Sequence, residues 1–131
     1  MSDGHRVAVR WQDMDGLGHV NHVAFLTYFE EGRDAWLRSL GIARDGYVVA
    51  RCTVDYRSEI GPEVATVTVR CAAASLGRSS LTTSEQLLDE SGELLAEAEF
   101  AVVLWDPAAR RSRPITDDER RSLQANMETL R

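Results

Sequence analysis

The chain has 131 residues, 44% of them hydrophobic and 27% charged, which is typical of one soluble globular domain. Its formal net charge of −6 argues against general binding to nucleic acids or anionic membranes. All 15 basic residues are arginine, which excludes a Schiff-base lysine and the lysine-containing phosphate-binding loop. No apolar run approaches the roughly 18 residues of a membrane span, and the first residues, M-S-D-G-H-R, lack the apolar core of a secretory signal. We therefore expect a single cytoplasmic domain over residues 1–131.

The first predicted element is a strand over residues 5–12, where apolar and polar residues alternate and Trp11 shares the apolar face. Side chains repeat every two residues along a strand. A strand that continued to Asp15 would therefore place Asp13 and Asp15 on that same face. Two glycines then interrupt the strand and open a loop.

A helix is predicted next, with Asn21 as its N-cap, its end near Leu40 and Gly41 as its stop. Its first two turns are apolar around nearly the whole circumference, which predicts a buried helix. These residues are Val23, Ala24, Phe25, Leu26, Tyr28 and Phe29. Gly32 lies in the middle of the helix, where glycine costs about 1 kcal/mol relative to alanine. We expect a neighbouring element to approach the helix backbone closely at this glycine.

The rest of the chain is mainly β in pattern and predicts four antiparallel strands, over residues 47–57, 63–74, 79–88 and 93–105. Residues 89–92 are predicted to form a hairpin loop with Gly92 at positive φ. One buried helix combined with these strands defines an α+β fold. Cys52 and Cys71 lie in predicted strands without metal-type spacing, so we expect both to be reduced core residues.

The last predicted element is a short C-terminal helix. A basic connector covers residues 110–114, and a capping box at residues 116–119 opens the helix. Its predicted apolar face contains Leu123, Met127 and Leu130.

The chemistry is expected just before the buried helix, where Asp15 and His19 precede its first turn. The free N–H groups and positive dipole at a helix start, beside a carboxylate, suit a site where a carbonyl oxygen gains negative charge. His19 either orients the loop or positions the substrate. His19 and His22 lack a third convergent ligand in the sequence, so no metal site is predicted.

Residues 13–31, D-M-D-G-L-G-H-V-N-H-V-A-F-L-T-Y-F-E-E, resemble the signature of the 4-hydroxybenzoyl-CoA thioesterase family. Looser matches are V-D-Y-R at 54–57, L-G-R-S-S at 76–80 and Pro-Ile at 114–115. The resemblance implies the hot-dog fold, in which a curled antiparallel sheet wraps a central helix. It also implies hydrolysis of an acyl-CoA thioester, with no cofactor apart from the coenzyme A of the substrate. A homodimer or homotetramer with the site at a subunit interface is expected.

The resemblance also implies roles for individual residues. Asp15 matches the family's catalytic carboxylate, and the backbone N–H of His22 matches the group that polarises the thioester carbonyl; His19 completes the predicted catalytic set. An aspartate is a weak base at neutral pH, so attack through a covalent anhydride is favoured over general-base activation of water, and both stay open. The predicted substrate-binding residues are Asn21, Phe25, Arg57, Arg78, Ser79 and Ser80.

Several alternatives remain open from the sequence. Asp13 is expected to brace the loop or pair with an arginine, and Glu31 is the reserve catalytic acid. A dehydratase or hydratase of the same fold is one rival, although the Gly-Asp-x-Asn-Pro-x-His run of such hydratases is absent. A binding module without turnover is a second rival. A third is an enzyme acting on acyl groups bound to a carrier protein. This acidic chain would repel an acidic carrier protein, so coenzyme A is ranked first.

Overall fold

The computed structural model describes residues 4–127, in which one curled antiparallel sheet packs against a long helix. The elements are β1 (His5–Ala8), a 3-10 turn (Trp11–Asp13), α1 (His22–Ser39), a 3-10 turn (Arg44–Gly46), β2 (Tyr47–Tyr56), β3 (Thr66–Leu76), β4 (Ser80–Leu88), β5 (Leu94–Asp106), β6 (Arg111–Ser112) and α2 (Asp117–Gln124). The strand order is β1-β3-β4-β5-β2, and β6 pairs with β5. The predicted α+β class and the hot-dog architecture are confirmed, as are the four long strands.

The core lies between α1 and the inner face of the sheet. Alternation along β4, and along β3 as far as Cys71, sends one set of side chains to the helix, including Val67, Val69, Leu81 and Leu87. The close approach predicted at Gly32 is confirmed, because a Cβ built there would lie 2.3 Å from the Cβ of Val69. Only a residue without a side chain lets the helix lie this close to β3.

The helix is less completely buried than its sequence predicts. Phe25 and Phe29 are buried, but Val23 is 55% exposed, so the first turn has one open side. Asn21 caps the helix as predicted, and Gly41 follows it at a φ of +89°.

The first strand is shorter than predicted, and the predicted C-terminal boundary of this strand was wrong. β1 ends at Ala8, and Trp11 is 89% exposed rather than on the core face. The carboxylate of Asp13 accepts the backbone N–H of Arg10 at 3.0 Å, which closes a 3-10 turn where the strand was expected to continue. Asp13 and Asp15 therefore do not share a strand face.

A buried ion pair crosses the core, and the sequence did not predict it. Arg33 on α1 donates to Glu85 on β4 at 3.1 Å, and both side chains are at least 98% buried. Glu85 also accepts the Thr83 hydroxyl at 2.6 Å, and the Arg33 guanidinium lies 4.0 Å from the centre of the Phe100 ring. Burial raises the pKa of Glu85 while Arg33 opposes that shift.

The remaining differences concern the cysteines and the C-terminal region. Cys71 lies in the core as expected, but Cys52 is exposed on β2, so its assignment to the core was wrong. The capping box of α2 is confirmed at Thr116, whereas Met127 lies beyond the end of the helix and is 42% exposed. Leu130 lies outside the described residues. Within residues 4–127, no helix is long and apolar enough to cross a membrane.

Candidate active site

The candidate site is built on a closed loop between residues 13 and 21. The Asn21 N–H donates to the Asp13 carbonyl at 2.8 Å, and the Asp15 N–H donates to the His19 carbonyl at 2.9 Å. Met14 and Val20 form a bridge between these two bonds, so the loop is a short antiparallel hairpin. Asp15 and His19 consequently lie opposite each other where the hairpin opens.

Asp13 braces this loop from inside the protein. Its carboxylate is buried and accepts the Tyr28 hydroxyl at 2.7 Å and two Arg10 groups, the backbone N–H and Nη2, at 3.0 Å each. Burial acts to raise the pKa of Asp13, but the hydrogen bonds from Tyr28 and Arg10 outweigh it and hold that pKa below its usual range. The expectation that Asp13 braces the loop and pairs with an arginine is confirmed.

Asp15 is partly open to solvent and contacts His19. One carboxylate oxygen accepts the Leu17 N–H at 2.8 Å, and the other lies 3.4 Å from Nδ1 of His19. The second ring nitrogen of His19 lies 3.9 Å from a carboxylate oxygen of Glu59. The histidine ring therefore stands between two carboxylates, of which Asp15 is the less exposed, at 26% against 76% for Glu59.

The start of α1 supplies N–H donors beside this acid. The Asn21 side chain accepts the Val23 N–H, and the Asn21 carbonyl accepts the Ala24 N–H, both at 2.9 Å. Among residues 4–127, no acceptor receives the N–H of His22. A helix start with one uncommitted N–H and the positive end of the dipole favours a developing negative charge nearby.

These groups line one open cavity of about 460 Å³. Its lining residues are Asp15, Leu17, His19, Val20, His22, Phe25, Tyr56, Arg57, Ser58 and Glu59. Five of the residues predicted from sequence therefore meet in one place: Asp15, His19, His22, Phe25 and Arg57. Tyr56 and Glu59 were missed, although Tyr56 lies on the same face of β2 as Val54, which packs against the core.

Arg57 reaches the cavity but is already paired. It donates to Glu97 at 2.7 Å and lies 4.0 Å from Asp55. The hydrogen bond to Glu97 raises the pKa of Arg57. A phosphate group would therefore have to compete with a carboxylate for this arginine.

Arg78, Ser79 and Ser80 do not reach the cavity of their own chain. Ser80 is level with Val103 on β5, whereas Tyr56 is level with Ala96 on the same strand. These two β5 positions differ by seven residues (103 − 96), or about 23 Å of strand. The three predicted residues thus lie at the opposite end of the sheet from the cavity of their own chain, and their binding of substrate stays a prediction.

Residues 4–127 contain no group of three or more His, Cys, Asp or Glu side chains that could hold a metal ion. That no cofactor takes part stays a prediction.

Comparison with known proteins gives the family. A family model described as the Thioesterase-like superfamily matches residues 9–124. The chain belongs to this superfamily. It is 27% identical over 116 residues to the acyl-CoA thioester hydrolase YbgC of Escherichia coli O6:H1, a match covering 83% of this chain and 86% of the relative. The expected thioesterase is confirmed at the level of the superfamily.

Two solved structures carry the same fold over nearly the whole chain. One is a thioesterase of Thermus thermophilus complexed with coenzyme A and Zn, at 32% identity and a TM-score of 0.83, covering 97% of this chain and 96% of that one. The other is a predicted thioesterase from Bacillus stearothermophilus, at 26% identity and a TM-score of 0.86, covering 97% of both chains.

Proposed function

We propose that this protein hydrolyses an acyl-CoA thioester to a carboxylic acid and free coenzyme A. The observation that carries the proposal is the shared cavity of the Asp15 carboxylate and the uncommitted His22 N–H. Support for coenzyme A comes from two relatives, one named an acyl-CoA thioester hydrolase and one solved with coenzyme A. Glu59 also lines the cavity, but its side chain is 76% exposed, whereas that of Asp15 is 26% exposed.

In the proposed reaction the thioester carbonyl lies between these two groups. The His22 N–H and the positive end of α1 stabilise the oxygen as it becomes an oxyanion. Asp15 either attacks the carbonyl carbon, forming an acyl-aspartyl anhydride that water then hydrolyses, or takes a proton from an attacking water. In both routes the carbon–sulfur bond breaks and coenzyme A leaves as the thiolate. His19, 3.4 Å from Asp15, keeps the carboxylate oriented toward the cavity.

The proposal includes a homo-oligomer that forms through β2. This strand is the edge of the sheet, and most of its ten residues are exposed. Val48 and Val49 on β2 are 38% and 42% exposed, and Leu17 beside the cavity is 82% exposed. An open edge with exposed apolar side chains favours pairing with a second copy.

Antiparallel pairing of two β2 strands would also explain how Arg78, which is far from the cavity of its own chain, could contact the substrate. It would bring the Val48 end of one copy beside the Tyr56 end of the other. Ser80 lies level with the Val48 end of β2, because Ser80 and Val48 pair with opposite sides of the same residue, Val103 on β5. Arg78, Ser79 and Ser80 of one copy would then lie near the other copy's cavity, within reach of the coenzyme A phosphates. A cytoplasmic location is part of the same proposal.

The test is release of free thiol from a panel of acyl-CoA esters that differ in acyl length and aromaticity. Turnover of at least one ester supports the proposal and identifies the acyl class. Binding of acyl-CoA without turnover would favour the binding module instead. Turnover of an acyl carrier protein thioester, but of no acyl-CoA, would favour the carrier-dependent enzyme.

A further inference from the structure

Tyr56 connects the edge of the sheet to the start of the central helix. It is the last residue of β2, and its hydroxyl donates to the carbonyl of His22 at 3.1 Å. Its ring meets the Phe25 ring edge-on, with centroids 5.0 Å apart, and the His22 ring edge-on at 6.1 Å. Tyr56 thus contacts both the first turn of the helix and the apolar wall of the cavity.

This contact restrains the group proposed to hold the oxyanion. The N–H and the carbonyl of His22 flank the same Cα, so a bond that fixes the carbonyl limits where the N–H can point. Apart from bonds within the helix itself, this turn is held by bonds to Asn21, which precedes it in the chain. Tyr56 ties the turn to the sheet, and a donor displaced by about 1 Å can cost a factor of about 100 in rate.

We propose that Tyr56 is a positioning residue for thioester hydrolysis. It acts through the backbone of His22, holding the carbonyl so that the N–H on the same residue keeps its direction. The inference rests on the proposed function and extends it to a residue outside the predicted catalytic set. In this proposal the Tyr56 hydroxyl bonds to the His22 carbonyl and does not contact the thioester. Its task is to hold the oxyanion donor against the sheet, while its ring forms part of the cavity wall.

The pH profile separates positioning from acid–base catalysis. Burial, together with the nearby Cys52 thiol, raises the pKa of Tyr56. The hydroxyl therefore stays protonated and keeps donating to His22 at neutral and mildly alkaline pH. A positioning role predicts the same ratio of wild-type to Tyr56→Phe activity at pH 6, 7.5 and 9.

The experiment compares Tyr56→Phe with Tyr47→Phe on the best acyl-CoA ester of the panel. Tyr47 lies at the other end of β2, but it is buried and its hydroxyl donates to Asp34 on α1 inside its own chain, so it does not line the cavity. One neutral hydrogen bond is worth about 0.5–1.5 kcal/mol, so kcat of Tyr56→Phe should fall about two- to twelvefold. KM should stay within about twofold, because the ring that lines the cavity remains. Tyr47→Phe should keep the wild-type kcat at a temperature where it is folded.

Two further measurements keep the result interpretable. The molecular mass in solution should be the same for wild type and Tyr56→Phe, which excludes loss of the oligomer as the cause. Tyr56→Ala, which also removes the ring, should raise KM in addition to lowering kcat.

Three results would overturn the proposal. The first is a wild-type kcat in Tyr56→Phe, and the second is an equal fall in Tyr47→Phe. The third is a wild type that turns over no thioester, which removes the proposed function together with this inference. The first two leave wild-type hydrolysis intact, so the two failures are distinguishable.

Discussion

Replacement of Asp13 by asparagine tests the brace beneath the candidate site. The substitution keeps the shape of the side chain but removes the charge that accepts the Tyr28 hydroxyl and the two Arg10 groups. The loop depends on the same residue, because the Asp13 carbonyl accepts the Asn21 N–H. A weakened brace should therefore loosen both the fold and the start of α1.

The size of the effect follows from these three bonds of 2.7–3.0 Å; a fourth, from Nε of Arg10, is longer at 3.4 Å and adds little. A hydrogen bond to a charged group is worth about 1.5–3 kcal/mol, and a neutral one about 0.5–1.5 kcal/mol, so the charge adds about 1 kcal/mol per bond. The Tyr28 bond is buried and should keep that full amount. The Arg10 side chain is 50% exposed, so solvent weakens its share. We expect Asp13→Asn to lose about 2 kcal/mol of unfolding free energy at pH 7.

The pH dependence gives the sharper test. The folded pKa of Asp13 is lowered, so its stabilisation is present above the unfolded pKa of about 3.9 and is lost as the pH falls through the folded pKa. Urea unfolding should show the full difference between wild type and Asp13→Asn at pH 7 and 5, and a smaller difference at pH 3. Asp45→Asn, in an exposed turn, should match the wild type throughout. A difference that is absent at pH 7, or equally large at pH 3, would refute the reasoning.

Three further substitutions test the fold by chemical denaturation. Gly32→Ala should lose about 1–3 kcal/mol despite the better helix propensity of alanine, because its Cβ would overlap Val69, and a stabilised variant would contradict this packing. Glu85→Gln should lose about 3–5 kcal/mol by leaving Arg33 buried without its counter-charge, and a loss below 1 kcal/mol would contradict the buried pair. Gly92→Ala should lose about 1–2 kcal/mol from its φ of +88° alone, since the new Cβ meets open space, and a neutral result would contradict that backbone conformation.

Features that depend on short-range pattern could be predicted from the sequence. The cap at Asn21, the close approach at Gly32 and the positive φ at Gly92 each follow from one residue type in a local pattern. The end of β1 could not be predicted in this way. Alternation continues through Trp11, but the carboxylate of Asp13 captures a backbone N–H three residues earlier and turns the chain. A side-chain hydrogen bond decided that boundary, and hydrophobic periodicity does not record it.

In the candidate site, too, the residues near the helix start could be proposed from the local sequence, and those brought there by the fold could not. Asp15 and His19 could be proposed because they precede the buried helix, and the resemblance selected Asp15 rather than Asp13 as the catalytic acid. Tyr56 joins them only because β2 returns to the start of the helix, which a local pattern does not specify. Arg78 was proposed as a substrate-binding residue by resemblance alone. The register of β4 and β5 places it at the end of the sheet that lies far from the cavity of its own chain.

The central claim is that the Asp15 carboxylate acts in the transition state of thioester hydrolysis. The most direct measurement is kcat/KM for thiol release by wild type, Asp15→Asn and the Asp45→Asn control. Asp15→Asn keeps an oxygen for the Leu17 N–H, so its thermal unfolding should match the wild type. If Asp15 acts in the transition state, kcat/KM should fall about a hundredfold or more in Asp15→Asn and stay at the wild-type value in Asp45→Asn. A folded Asp15→Asn within about threefold of the wild type would contradict the account and direct the search to another acid, beginning with Glu31.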